Sequence, residues 1–209
     1  METIFGDSGI SRHMTRVNPN VLATIKKNIN VDFSKISTVI DAGCGYNVYK
    51  SLFPNLTGFD INYYTAADMQ CDFLTAPFEE SSADLVLVLG SNQFISLEAI
   101  EENYKKAWSW VRPGGYLLTR FSLENEAFEN LKPIFKSFSA DSSDKIIGIH
   151  PDWIDNLFAG LNAIEIDRFS HSWGPVAQRY MPRLRQKNSA LVKYVDGLRK
   201  EYRLWKKNV

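Results

Sequence analysis

The sequence predicts an α/β protein built on a doubly wound, mostly parallel sheet with helices on both faces. Three observations carry that prediction. Short apolar runs that end in polar residues recur at 37–41, 56–61, 84–89 and 115–121, and segments with helical apolar spacing alternate with them. The first run leads into two glycines one residue apart, in the string Val39-Ile40-Asp41-Ala42-Gly43-Cys44-Gly45. The chain has 209 residues, 44% of them hydrophobic, which suits one domain of ordinary size around a single sizeable core.

The elements follow in order. Residues 1–17, with Gly6 and Gly9, read either as a frayed terminus or as a lid that orders over a ligand. Asn18-Pro19 supplies an N-cap and a first-turn proline ahead of Val21, Leu22, Ile25 and Ile29 at helical spacing. The first strand runs from about Ser37 to Asp41, the second is Leu56–Ile61, and the third ends at Asp72-Phe73 after Ala67–Cys71. The fourth, Asp84–Leu89, ends at Gly90-Ser91-Asn92. Ile100, Tyr104, Ala107, Trp108 and Val111 mark an amphipathic crossover helix. The turn Val111-Arg112-Pro113-Gly114-Gly115 then opens the fifth strand, to Phe121. Helical spacing returns at Phe128, Leu131, Ile134 and Phe135, Pro151-Asp152-Trp153-Ile154 starts a short helix, and Ala163–Asp167 is a sixth strand. Leu184, Leu191, Tyr194, Val195 and Leu198 mark an inserted helix after Ser170. Tyr202-Arg203-Leu204-Trp205 is either a seventh strand or the end of one helix from Leu184 to Lys207.

The glycine turn carries the chemistry. Gly43 and Gly45 let a ligand approach the backbone closely. A dinucleotide fingerprint would want a third glycine at 48, where Val48 stands, and no Lys-Ser/Thr pair follows to make a phosphate-binding P-loop. Asp41 at the strand end repels a pyrophosphate and suits an ammonium or hydroxyl, so the ligand is cationic or zwitterionic. Asp60, fifteen residues past Gly45, stands where an acid in a doubly wound sheet reaches ribose hydroxyls.

From Ser37 to Phe121 the chain resembles the class I S-adenosylmethionine-dependent methyltransferases. The resemblance rests on the D-x-G-x-G loop at Asp41–Gly45, the acid Asp60, the pair Asp72-Phe73, the apolar fourth strand and the R-P-G-G turn at Arg112. It implies a Rossmann-like, seven-stranded sheet with S-adenosyl-L-methionine as cofactor and methyl transfer as the activity. It also implies that Asp41, Ala42, Gly43, Cys44 and Gly45 hold the methionine part, Asp41 lying near its amino group. Asp60 then takes the ribose and Ile61 meets the adenine. Asp72 accepts from the adenine amino group with Phe73 beside the ring, and Gly90 and Ser91 border the methyl-donor end. The sequence departs from the family at Asn47, where many members have a further glycine. Asn tolerates positive φ better than most residues, so the turn survives the change.

The organisation expected is one domain, 1–209: an N-terminal lid or helix at 1–35, a cofactor-binding core at 36–169, and a basic helical insertion with a possible last strand at 170–209. Charge divides the chain sharply. Met1–Ser170 holds 14 Lys and Arg against 22 Asp and Glu, whereas His171–Val209 holds 10 against 2. The basic end, from Arg179 to Lys207 with Trp173, Tyr180 and Tyr194 interleaved, suits a nucleic-acid backbone with stacked bases. It equally suits a solvated helix face, a second copy, or the chain's own acidic core.

The acceptor stays open between a small molecule and a nucleic-acid or nucleotide component. Gly90-Ser91-Asn92-Gln93-Phe94 lacks the prolines of DNA-base amino methyltransferases, and no Pro-Cys nucleophile of the cytosine C5 type occurs. No catalytic residue is assigned; His150, His171 and His13 are candidate bases, with Asn92 as an orienting group. Cys44 and Cys71 read as small packing residues and no metal site is indicated. The alternatives are aminopropyl transfer on the same fold, or a non-catalytic S-adenosylmethionine-binding protein whose basic tail holds a partner. No segment reaches the ~20 apolar residues of a membrane span and Met1-Glu2-Thr3-Ile4 lacks signal-peptide features, so no membrane and a cytoplasmic address are expected. Oligomeric state is not read from the sequence.

Overall fold

The structure, a computed structural model, describes residues 19–28, 36–61, 66–89, 96–123, 149–172 and 199–209, with the side chains at 19, 28, 122, 171, 172, 199 and 200 outside that description. Its centre is the strand Ala83–Val88, buried at all six positions. A near-continuous apolar run of this kind belongs to a parallel strand covered on both faces. In chain order the elements are α1 (Pro19–Asn28), β1 (Val39–Ala42), β2 (Leu56–Asp60), β3 (Met69–Gln70), β4 (Ala83–Val88), α2 (Leu97–Trp110), β5 (Val111–Leu123), α3 (Pro151–Gly160), β6 (Ala163–Ser172) and β7 (Arg199–Lys207).

These seven strands form one sheet in the order β3-β2-β1-β4-β5-β7-β6. The pairings from β3 through β5 are parallel, and β7 runs antiparallel to both β5 and β6. The order reverses direction between β1 and β4, the switch point where ligands of open α/β sheets bind beyond the carboxyl ends of the strands.

Alternation along the strands divides the core in two. Ile40, Val86, Leu117 and Trp205 face α2 and α3 through Tyr104, Trp108, Ile154 and Phe158. Val39, Leu85, Leu118 and Leu204 face the other way, with Val21 and Ile25 of α1 and with Phe53. Caps fix the helix starts: the Ser96 side chain accepts from Ala99 N at 3.2 Å, and His150 Nδ1 accepts from Asp152 N at 3.3 Å with Pro151 in the first turn. His150 is thus occupied as a helix cap.

The uncertain C-terminal segment is a strand: Leu118 pairs with Leu204 and Leu117 with Trp205. The reading of one helix through Lys207 is corrected. Its sequence looked helical because β7 is buried on both faces, so its apolar residues do not alternate with polar ones: Tyr202, Arg203, Leu204 and Trp205 are all buried. Other boundaries also move. β6 continues to Ser172, so Ser170 and His171 lie on a strand, beyond the end at Asp167 expected for it. The R-P-G-G turn lies within β5 as an irregularity, since Val111 pairs with Ala83 and Tyr116 with Leu85. The helices expected over 128–135 and 180–198 and the lid at 1–17 lie outside the described residues.

At the amino ends of the strands, Asp84 ties three segments together. It accepts from Ser37 N at 2.9 Å, Ser37 Oγ at 2.8 Å and Thr38 N at 2.9 Å, and it also accepts from Arg112 Nε. Burial alone would raise this carboxyl, but the bonds from Ser37, Arg112 and Thr38 overcome it and hold the pKa below the ordinary value. The arginine of the R-P-G-G turn therefore serves the sheet at the edge opposite the glycine loop.

Candidate active site

The glycine loop leaves β1 and folds over the end of β2. Gly43 has φ 72° and Gly45 φ 51°, values in the left-handed region that L side chains avoid, so the turn requires these glycines. Gly43 N and Cys44 N both donate to Phe59 O, at 2.8 and 2.9 Å. One residue further along β2, Asp60 Oδ2 accepts from Gly45 N at 3.0 Å. The acids that end β1 and β2 and the glycine loop between them are thus assembled at one sheet edge.

Asp41 is only 3% exposed. Burial first, and then the neighbouring Asp60, push its pKa from 3.8 up to about 7. Both causes act in the same direction. A carboxyl in that state gains most from a cationic group placed beside it, which would restore its charge.

Cys44 is half-buried, and its thiol is pushed up to about 12 by burial and by Asp41, Asp60 and Asp68. The Cys71 thiol is raised by burial and by Asp72. Both stay protonated near neutral pH, which fits packing residues and not nucleophiles.

The other predicted residues fall in different environments. Ala42 is fully buried in the sheet, and Ile61, at the end of β2, is 62% exposed. Asp72 is exposed, with Oδ1 accepting from Leu74 N at 2.9 Å. Phe73, expected beside an adenine ring, is turned into the core, its ring centroid 5.3 Å from that of Phe59 and stacked at 6.2 Å on Trp110. An aromatic ring there buries more apolar area inward than the exposed edge offers. Gly90, Ser91, Asn92 and His13, and the side chain of His171, lie outside the described residues.

Three contributors were missed. Tyr46 and Leu74 are exposed apolar residues that, with Ile61, follow the carboxyl ends of β1, β3 and β2, giving this edge an apolar rim. Asp68 accepts from Gly58 N at 2.9 Å and from Asn47 Nδ2 at 3.1 Å, and it also pairs with Lys50. A signal existed for Asp68, an acid just before a short strand next to the glycine loop, but its partners come together only through the parallel pairing of β2 and β3. Asn47 itself has φ 52° and ψ 41°, so it does adopt the left-handed conformation that its substitution for glycine demands. Among the described residues no group of three His, Cys, Asp or Glu could hold a metal ion.

The basic end of the chain is partly consumed by the fold. Arg203 is fully buried; Nε donates to Glu201 Oε1 at 2.7 Å, while Nη1 bonds Asp155 and lies 3.4 Å from Glu165 Oε2. Lys207 Nζ donates to the carbonyls of Trp108 at 3.2 Å and Val111 at 2.7 Å, closing the end of α2. Arg203 is thus partnered by acids of the chain's own core, and Lys207 by backbone carbonyls.

A parallel sheet with its switch point beside a glycine loop and two strand-end acids defines a Rossmann-like site for a nucleoside-type ligand. Comparison with known proteins narrows that class. Residues 40–119 match the family model described as a methyltransferase domain. A phosphoethanolamine N-methyltransferase of Plasmodium falciparum (isolate 3D7) is 27% identical over 150 residues, 66% of this chain and 56% of the relative. The chain thus spans little more than half the length of that curated relative. A crystal structure of a SAM-dependent methyltransferase from Archaeoglobus fulgidus superposes with TM-score 0.59 at 15% identity, covering 90% of this chain and 94% of that one. Phosphoethanolamine N-methyltransferase 2 of Haemonchus contortus, in complex with phosphomonomethylethanolamine and S-adenosylhomocysteine, gives TM-score 0.61 at 17% identity, over 91% of this chain and 53% of that one. Residues 40–119 are thus similar to a methyltransferase domain, and the fold is the one that S-adenosylmethionine-dependent methyltransferases share.

Proposed function

We propose that this chain transfers a methyl group from S-adenosylmethionine to a small-molecule acceptor. The observation that carries the reading is Asp41: a buried carboxyl with its pKa near 7, set beside a glycine loop, suits the ammonium of an amino-acid ligand. The residues fit the cofactor. Gly43 and Gly45 leave room for the methionine part, Asp60 at the end of β2 suits the ribose, and exposed Ile61 offers an apolar surface to the adenine. When bound, the cofactor supplies an electrophilic methyl on a sulfonium. The chain's own work is then to hold donor and acceptor in line and to exclude water, which can supply most of the acceleration.

A small acceptor is favoured over nucleic acid because Arg203 and Lys207 of the basic end are engaged inside the fold. Amines that carry a phosphate head the candidates, because two relatives bear the name phosphoethanolamine N-methyltransferase. The test is transfer of labelled methyl from S-adenosylmethionine to a panel of phosphoamines, free amines, carboxylates and oligonucleotides. Label entering one small-molecule class, and absent with Asp60→Ala, is the expected result. Label entering only the oligonucleotides would reverse the acceptor assignment, and label entering nothing while S-adenosylhomocysteine still binds would favour a non-catalytic binding protein.

A further inference from the structure

We propose that Asn47 is a positioning residue for the cofactor loop, locking it onto Gly58 of β2; this rests on the reading that the loop holds S-adenosylmethionine. The position asks for a left-handed backbone, which glycine adopts freely, and at φ 52° and ψ 41° Asn47 adopts it with a side chain. What the side chain does is visible in its contacts. Nδ2 donates to Ala66 O at 3.0 Å and to Asp68 Oδ2 at 3.1 Å. The same Asp68 oxygen accepts from Gly58 N at 2.9 Å, and Asp68 N donates to Gly58 O at 2.9 Å. Lys50, one turn beyond Asn47, pairs with the other carboxylate oxygen.

The amide also occupies the space that a side chain at position 58 would need. A Cβ built on Gly58 would stand 2.5 Å from Asn47 Oδ1, 2.7 Å from Cγ and 2.9 Å from Nδ2, distances that no real side chain occupies. Asn47 is 5% exposed and its buried Oδ1 has no hydrogen-bond partner among the described residues, so shape complementarity to the glycine holds that end of the amide. Asp68 is stabilised as a carboxylate despite burial, which raises its pKa, because bonds from Gly58, Lys50 and Asn47 lower it by more. Beyond the bonds of Gly43 N and Cys44 N to Phe59 O, the loop is therefore fixed to β2 at two further points two residues apart: Asn47 at Gly58, and Gly45 at Asp60. A loop held in its binding geometry before the ligand arrives loses less freedom on binding.

This arrangement makes Asn47 and Gly58 a coupled pair. The experiment is calorimetric titration of wild type, N47G, G58A and N47G/G58A with S-adenosylhomocysteine, with thermal midpoints and amide hydrogen exchange over residues 43–47 of the free proteins. N47G should bind roughly tenfold more weakly and lose protection at Gly45, while its thermal midpoint holds or rises because glycine relieves the backbone. A purely structural asparagine would lower the midpoint and leave affinity on the folded protein unchanged. G58A should bind more weakly than N47G, and the double variant should return to within about threefold of N47G, since removing the amide makes room for the Cβ. Independent, multiplying effects of the two changes, or unaltered exchange and affinity in N47G, would overturn the lock. Absence of binding to wild type would instead sink the cofactor reading, and loop exchange in N47G would still decide whether the lock exists.

Discussion

Asp41 is the residue where fold and proposed function meet, because its burial weakens the fold and, on the proposed reading, suits it to the ammonium of the ligand. In the folded chain its pKa is about 7 against 3.8 unperturbed, so the unfolded chain ionises first as pH rises. Stability present below about pH 4 is therefore lost between pH 4 and 7, and the ionised form at pH 8 carries an uncompensated cost. Asp41→Asn should stabilise the free protein at pH 8 by about 1–3 kcal/mol, measured by urea unfolding, and by much less at pH 4. Binding should show the opposite trend. Wild-type affinity for S-adenosylhomocysteine should fall as pH drops below about 7, and Asp41→Asn should bind weakly with no such dependence. A wild-type affinity flat from pH 5.5 to 8 would remove Asp41 from the ammonium site. The acid and the glycines were legible in sequence because each is demanded by local backbone and charge. Phe73 was not: its place in the string is shared by rings that face a ligand and rings that face a core, and only the packing of Phe59 and Trp110 decides between them.

At the scale of elements, the strands of the parallel part were readable, whereas β7, which carries a buried Arg203–Glu201 pair, was readable only as one of two alternatives. β4 is six buried residues in a row and announces itself. β7 contains Arg203 and Glu201, both buried, and the sequence shows nothing of the partners on α3 and β6 that neutralise them. Its role as a central strand rests on Trp205, which stacks on Phe158 of α3 at 4.0 Å and donates from Nε1 to Thr119 Oγ1 at 3.1 Å. Trp205→Ala should cost about 3–5 kcal/mol of unfolding free energy; a loss below about 1 kcal/mol would contradict a buried strand. Asp84 supplies a control at the opposite edge. Asp84→Asn should lose about 1.5–3 kcal/mol at pH 7 with cofactor affinity unchanged. Because the folded pKa of Asp84 is depressed, its stabilisation holds above the ordinary carboxylate range and disappears in acid, so the difference from wild type should shrink as pH falls.

For the whole molecule, a formal charge of zero conceals an acidic part that contains the cofactor edge and a basic end that returns to the sheet. That return gives two of the basic residues partners within the chain: Arg203 answers Asp155, Glu165 and Glu201, and Lys207 donates to the carbonyls of Trp108 and Val111. The strands themselves were legible as far as β5 because each is a short apolar run with a polar end. The insertion of β7 between β5 and β6 was not, since antiparallel pairing over long separations leaves no local mark. What unites these levels is the claim that the loop from Asp41 to Asn47 and the end of β2 form one site for S-adenosylmethionine. The most direct measurement is calorimetric titration of S-adenosylhomocysteine into wild type and Asp60→Ala at pH 8. The account predicts saturable one-to-one binding by wild type and a loss of roughly tenfold or more in affinity for Asp60→Ala with the fold intact. No binding by wild type, or equal binding by both, would contradict it.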